Sequence, residues 1–387
     1  MTTQTEALRE LVRRAAAQHP YFARKYAGLD LDGDFDLAVV PEMTREDVTA
    51  SALKAARTVP RPTGAYLFTS GGSTAEPKIA WIPCEMHLPA LLPHWRPLGP
   101  DDVFANLAMP GRLWSAHYFY NRVAEHCGAD VIGLGHVAED ELAQWLGFLR
   151  RHGTTALAGT PSQLASVLRT GHPLLGQLRA AIFFGEACDP ELLRLRDSHA
   201  PHLGLWGNYG STETWVIGHN GPDCAVDTFH VLPYQHVELV DGAVLVSTLH
   251  EAAVSPVIRY RIGDRAELAE CRCGRGGLAL RVLGREGALI KFAGTLVSPW
   301  ELVELARIAP GVQAAQAALV ADGPAEVLEI RLVGSGADAG AVRERLLGSQ
   351  IDLRFALRGE EDTFRVRLVD RLETSSRTAK TPTLVRQ

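Results

Sequence analysis

The segment Thr69-Ser-Gly-Gly-Ser-Thr-Ala-Glu-Pro-Lys78 sets hydroxyls, paired glycines and a closing lysine directly behind the apolar run Ala65-Tyr-Leu-Phe68. A strand running into such a loop can turn its backbone N–H groups inward around an anion, because glycine reaches positive φ without steric cost. Gly71 and Gly72 supply that freedom, Ser70, Ser73 and Thr74 add hydroxyl donors, and Lys78 adds a positive charge. The set suits the polyphosphate of a nucleotide; the other reading of the same residues is a polar hairpin turn. It is not a Walker loop, which needs G-x-x-x-x-G-K-[ST]. Counted from Gly72, the second glycine position is Pro77, and Ile79 follows the lysine.

Two further constellations carry chemistry of their own. In Arg259-Tyr-Arg-Ile-Gly-Asp264 a single carboxylate stands behind a glycine turn, where it can accept both hydroxyls of a ribose. Cys271-Arg-Cys273-Gly lies downstream of Cys224 and His230, a C-x₅-H pair, and the four make a tetrahedral Cys₃His set of the structural zinc type. The competing reading is three unrelated thiols and a histidine. Arg112-Leu-Trp-Ser-Ala-His-Tyr-Phe-Tyr120 gathers aromatics around His117; Trp114, His117 and Tyr118 suit stacking on an aromatic acid, or an aromatic helix face in the core.

TSGGSTAEPK resembles the phosphate loop of the adenylate-forming superfamily: acyl-CoA synthetases, peptide-synthetase adenylation domains and luciferases. Ala75 stands where that family usually has glycine. Asn208-Tyr-Gly-Ser-Thr-Glu213 resembles its YGSTE signature, which implies Tyr209 against adenine, Thr212 at the α-phosphate and Glu213 on Mg²⁺, with Asn208, Gly210 and Ser211 beside the nucleotide. Mg²⁺ takes one or two carboxylates together with substrate phosphates and waters. Locally the segment also reads as a strand-to-helix turn capped by Ser211 or Thr212. RYRIGD resembles RYRTGD and makes Asp264 the ribose clamp. Phe183-Phe-Gly-Glu-Ala187 matches a strand end that borders adenine, through Gly185 and Glu186.

Leu283-Gly-Arg-Glu-Gly-Ala-Leu-Ile-Lys-Phe-Ala-Gly294 resembles the family hinge, with Arg285 on the ribose or phosphate side and Gly287-Ala288 replacing the usual acidic pair. Arg377-Thr-Ala-Lys380 is similar to the closing R-x-x-G-K. It implies that Lys380 offsets charge between carboxylate and α-phosphate. Ala158-Gly-Thr-Pro-Ser162 resembles a GTPS loop that walls the acyl pocket at Gly159. His19-Pro-Tyr-Phe-Ala-Arg-Lys-Tyr26, Val40-Pro-Glu-Met-Thr-Arg-Glu-Asp47 and Cys273-Gly-Arg275 resemble the phenylacetate–CoA ligase branch, and the short length resembles its compact members of the phenazine-antibiotic adenylating type.

The elements that must position these residues follow from patterning. Leu8, Leu11, Val12 and Ala15 recur at helical spacing, and Thr44 with Asp47 forms a capping-box variant. From residue 65 to about 220, short apolar runs alternate with helical stretches at 139–152 and 161–170, an α/β pattern. Residues 225–284 change to alternating strands with turns such as Asp241-Gly242. The expected fold is α/β: a large multi-layer N-terminal domain with parallel and mixed sheets and a barrel-like β subdomain, then a small α+β C-terminal lid domain. The expected boundary puts ATP and acyl binding in 1–284, with the β-rich part at 225–284, and a mobile domain in 285–387.

At 387 residues the chain can bury a full core. A net charge of −6 argues against a nucleic-acid binder, which usually carries a basic surplus or stripe. No apolar run approaches the roughly 18 residues of a membrane span, and the N-terminus lacks a signal-peptide core, so the cytoplasm is expected. Six cysteines in this length do not make a disulfide framework. The resemblance implies a ligase that uses ATP and Mg²⁺ to turn a carboxylic acid, expected to be aromatic, into acyl-AMP and pyrophosphate. The acyl group would then pass to CoA or a carrier-protein thiol, within a homodimer. An amine acceptor giving an amide, or a non-catalytic nucleotide-binding protein, stands as the alternative.

Overall fold

The computed structural model describes the chain apart from residues 1–3, 32–34, 59–62, 70–77, 189, 286–289, 294, 323–324, 351–352, 355–356, 358–360 and 376–379. It opens with α1 (Gln4–Gln18), whose Leu8, Leu11, Val12 and Ala15 are buried as their spacing predicts, and α2 (Pro20–Lys25), with buried Phe22. In α3 (Arg45–Thr58) the capping box forms: the Asp47 carboxylate accepts the Thr44 N–H at 2.8 Å, and Thr44 Oγ1 accepts the Asp47 N–H at 3.3 Å. Lys25 Nζ donates to Asp47 at 2.9 Å and Tyr21 donates to the same carboxylate, so the two N-terminal motifs meet.

Next come the hairpin β1 (Ala65–Thr69) and β2 (Ile79–Pro83), then α4 (Leu88–Leu91). The α/β alternation follows: β3 (Val103–Asn106), α5 (Ala116–Cys127), β4 (Asp130–Ile132), α6 (Leu142–Arg151), β5 (Ala156–Gly159), α7 (Pro161–Arg169), β6 (Ala180–Phe183), α8 (Pro190–His199) and β7 (Gly204–Ser211). Strands β4, β3, β5, β6 and β7 pair in parallel in that order. Every residue of β5 and β6 is buried, which is what a parallel strand covered by helices on both faces requires.

From β7 the direction changes. Strands β8 (Trp215–Asn220), β9 (Thr228–Val231), β10 (Gln235–Val240), β11 (Ala243–Thr248), β12 (Tyr260–Leu268) and β13 (Ala279–Arg285) continue one eleven-stranded sheet in antiparallel pairs. The β10–β11 turn uses Asp241 and Gly242, both at positive φ (51° and 79°), as the Asp-Gly signal predicts. The 225–284 strands pair antiparallel, as their alternation predicts, and join the main sheet through β8 and β9. One expectation is corrected here. The segment after Tyr209 turns into antiparallel β8, not into a helix, because Trp215-Val-Ile carries on the buried β pattern.

Beyond β13, a hairpin of β14 (Ile290–Phe292) and β15 (Thr295–Val297) leads to α9 (Pro299–Arg307), β16 (Ala314–Asp322), β17 (Ala325–Val333), α10 (Ala339–Ser349), β18 (Phe364–Leu368) and β19 (Leu384–Arg386). The last four strands form a sheet in the order β18-β17-β16-β19. Their apolar faces build a cluster with α9 and α10, around Leu302, Val303, Ile330, Leu346 and Phe364, distinct from the two clusters that flank the large sheet. No helix among the described residues is long and apolar enough to cross a membrane.

Candidate functional site

Open α/β sheets bind ligands outside the carboxyl ends of their parallel strands. Strands β5, β6 and β7 are neighbours, and their carboxyl ends deliver Gly159, then Gly185 and Glu186, then Asn208 to Ser211. After Gly159 the chain enters α7 through a capping box: Thr160 Oγ1 accepts from Gln163 N–H and the Gln163 side chain accepts from Thr160 N–H. This fixes Ser162, whose hydroxyl donates to Glu186 at 2.9 Å. Tyr120 of α5 donates to Asn208 Oδ1 at 2.9 Å and stacks on Phe184 at 4.3 Å between ring centres.

Thr69 pairs with Ile79 across β1–β2, so the two ends of the candidate phosphate loop are held together. The loop residues Ser70, Gly71, Gly72, Ser73 and Thr74 lie outside the described residues. Lys78 is described, and it forms a salt bridge with Glu213 while donating to the Tyr260 hydroxyl at 2.9 Å. Tyr260 in turn donates to Glu213 Oε1 at 3.0 Å. Burial pushes the Glu213 carboxyl upward, but the charge of Lys78 and the bonds from Lys78 and Tyr260 outweigh it and hold the group below its ordinary value. One ion pair thus binds the phosphate-loop segment to YGSTE, and Tyr260 adds RYRIGD. Thr212 sits in the turn before β8 beside Glu213.

Asp264 lies on β12, separated from β8 by β9 and β13, where β12 pairs with β13 and Asp264 faces Arg285. Its carboxylate accepts from the Tyr209 hydroxyl at 2.9 Å and pairs with Arg285 Nε at 3.2 Å. Burial raises the Asp264 pKa, with Arg285 opposing it, and pushes the Tyr209 phenol well above its ordinary value. Arg285 also donates to the Ile262 carbonyl at 3.2 Å. Gly263, at φ 83°, lies within β12 where the register with β11 shifts, directly before Asp264.

The tail reaches the same strand ends. Lys380 Nζ stands 5.6 Å from the centre of the Trp114 ring, and Thr381 N–H donates to Glu186 Oε1 at 2.9 Å. Gly185, at φ 76°, is where the arm passes: a Cβ there would stand 2.6 Å from Lys380 Nζ. Burial pushes the Lys380 ammonium below its usual range and the Glu186 carboxyl above its own, each group partly relieving the other. Arg377 and Ala379 of the closing motif lie outside the described residues, as do Gly287 and Ala288 of the hinge.

The residues expected to line an acyl pocket divide. Trp114 is buried, under Lys380 and 6.0 Å from the Phe184 ring. Tyr118 is 41% exposed and leans on Tyr66 and Phe68 of β1, at 5.7 and 6.1 Å. His117 donates from Nδ1 to the Ala108 carbonyl at 2.7 Å and lies against Gly133, so its ring props the exit of β3. Three participants were missed in the sequence reading. Tyr260 stood unread within a motif, Ser162 within GTPS, and Phe68 stacks on Trp215 at 5.9 Å.

Cys224, His230, Cys271 and Cys273 bring one ligand atom each within 4.8 Å of one another. His230 Nε2 is 3.1 Å from Cys273 Sγ. Burial and the adjoining thiols of Cys271 and Cys273 push Cys224 up to about 12. Such crowding becomes attraction once a cation deprotonates the thiols, so the donor set fits a structural zinc.

The family model for AMP-binding enzymes matches residues 11–247. Indoleacetate–lysine synthetase from Pseudomonas savastanoi is 23% identical over 202 residues, 51% of this chain and 50% of that protein. L-proline–[L-prolyl-carrier protein] ligase from Streptomyces coelicolor is 26% identical over 317 residues, 70% of this chain and 56% of that protein. The chain therefore spans about half the length of the curated relatives it matches. The fold is similar to that of 2-hydroxyisobutyryl-CoA ligase in the postadenylation state, with a TM-score of 0.73 at 16% identity, covering 98% of this chain and 88% of that one.

Proposed function

This chain belongs to the AMP-binding enzyme family, and on that premise we propose that it is an adenylate-forming ligase acting on a small carboxylic acid. The observation that carries the reading is the docking of Lys380 and Thr381 at Gly185 and Glu186, beside the strand ends that lead to Tyr209 and Glu213. A carboxylate oxygen of the acid attacks the α-phosphorus of ATP, that P–O bond forms, and the bond to pyrophosphate breaks. Lys380 meets the charge gathering between carboxylate and α-phosphate, an electrostatic role. Asp264 takes the ribose hydroxyls, Arg285 steadies Asp264, and Tyr209 lies along the base. Lys78 exchanges its Glu213 partner for phosphate oxygens when ATP enters. Glu213 would then help hold Mg²⁺, which supplies charge neutralisation on the phosphates.

Residues 285–387 form a small mobile domain in this reading, rotating after adenylation so that an acceptor reaches the acyl-AMP. Trp114 and Tyr118 favour an aromatic acid by stacking. Free CoA or a carrier-protein thiol is the acceptor; an amine is the second reading, favoured by the likeness to a lysine-conjugating synthetase and by Gly287-Ala288 in place of an acidic pair. Zinc in the Cys₃His set would staple β9 to the β12–β13 connection and take no part in the reaction. Acid-dependent exchange of labelled pyrophosphate into ATP, across a panel of aromatic acids, tests the reaction. No exchange with any acid would leave only a nucleotide binder. Acceleration of AMP release by CoA, and not by amines, separates the two acceptors.

A further inference from the structure

A second group of donors converges apart from the Cys₃His set. Glu85 and His87 lie in the turn between β2 and α4, and His250 lies in the loop after β11. One ligand atom from each falls within 4.8 Å of the others. His87 is 3% exposed, and its ring centre is 4.0 Å from that of His250. Tyr234 packs against both imidazoles, at 6.3 and 5.6 Å. Among the described residues, Glu85 Oε1, His87 Nδ1 and the Tyr234 hydroxyl are buried and make no hydrogen bond. Buried polar groups are normally paired, and Glu85 Oε1 and His87 Nδ1 face each other without a hydrogen bond, so one shared partner would satisfy both.

We propose that Glu85, His87 and His250 bind a divalent transition metal of the zinc type, clamping the phosphate-loop hairpin to the β11–β12 connection. His87 Nδ1 and Glu85 Oε1 are 3.6 Å apart. That is too long for a hydrogen bond, but ligands sharing one tetrahedral zinc at about 2.0–2.1 Å stand roughly 3.3–3.5 Å from each other. Two imidazoles and one carboxylate select zinc and its neighbours over Mg²⁺ or Ca²⁺, which prefer oxygen shells. Three protein donors leave a fourth position for water. His250 Nδ1 accepts the Ala252 N–H at 3.1 Å; on ligation it gives up this contact, and that exposed N–H turns to solvent.

The position gives the ion a consequence. Met86 and His87 both hold left-handed backbone, φ 54° and 56°, which side-chain-bearing residues rarely adopt without support. The Met86 carbonyl accepts Trp215 Nε1–H at 3.0 Å, and Trp215 begins β8 directly after the Thr212–Thr214 turn. An ion on His87 therefore steadies the strand that presents Glu213.

Metal content of the full chain decides the matter. Purified protein with zinc is expected to carry about two ions per chain, Cys271→Ser/Cys273→Ser about one, and the same protein with His250→Gln about none. Glu85→Gln in the Cys271→Ser/Cys273→Ser background repeats the test with an isosteric side chain, should His250→Gln fail to fold. Loading that background with Co²⁺ should give visible d–d bands without thiolate charge transfer. A folded Cys271→Ser/Cys273→Ser protein with no bound zinc or cobalt, meaning water fills the cluster, overturns the proposal. So does zinc content unchanged by both His250→Gln and Glu85→Gln.

Discussion

Lys380 and Glu186 each bear a charge that their surroundings resist, and the chemistry asked of Lys380 needs the ammonium. Replacing it with alanine removes one electrostatic donor, for which a loss of about 10²–10³ in the pyrophosphate-exchange rate is expected. The pH dependence has a definite sign. The active form is protonated, so exchange is present below the pKa of Lys380 and lost as pH rises through it. Since burial lowers that pKa in the free protein, the alkaline limb of kcat/KM falls below the range of an ordinary lysine. A limb at or above that range would remove Lys380 from the step. At this scale the motifs marked which residues meet other motif residues: Lys78 pairs with Glu213, and Asp264 accepts from Tyr209 and pairs with Arg285. Tyr260 was not readable as a partner, because only folding brings it to Lys78 and Glu213 from 182 and 47 residues away.

Among the elements, the short β19 matters most, because it fixes the arm that carries Lys380. Its three residues pair with β16, and one buried side chain closes the loop before it. Gln316 Nε2 donates to the Glu373 carbonyl at 3.0 Å and the Pro382 carbonyl at 2.8 Å, while Gln316 Oε1 accepts the Glu373 N–H at 3.0 Å. Gln316→Leu would leave these backbone groups unpaired, costing about 1–3 kcal/mol for each that finds no water. The expected result is a lower melting temperature for the 290–387 part and a fall in exchange kcat with little change in KM for ATP. Unchanged kcat would mean that the arm is held by other contacts. Neither β16 nor Gln316 was legible beforehand. Ala314-Ala-Gln-Ala-Ala-Leu-Val-Ala has weak strand propensity and no clean alternation, and its pairing with β17 decides its form. By contrast β5, β6 and α7 were legible, from short apolar runs alternating with a helical stretch at 161–170.

On the proposed reading the whole molecule does two things with one cleft: it closes Lys380 onto it, then opens it to an acceptor. Gly185 discriminates between these demands, since the arm crosses it in the pose described. At φ 76° with Lys380 Nζ 2.6 Å from a would-be Cβ, Gly185→Ala both strains the backbone by about 1–2 kcal/mol and displaces the lysine. If residues 285–387 swing away before acyl transfer, that methyl group obstructs only the first half-reaction. Pyrophosphate exchange should fall about tenfold or more, equivalent to about 1.4 kcal/mol of transition-state stabilisation. Transfer from chemically prepared acyl-AMP to the acceptor should stay within about twofold of the unaltered protein, because uniform damage to binding would have lowered both. Equal losses in the two half-reactions would mean that the docked lysine serves both. The rotation of the small domain would then be unnecessary, and the hinge at Gly284-Arg285 would be a fixed corner where the Trp300 ring packs against Gly284 at φ 122°.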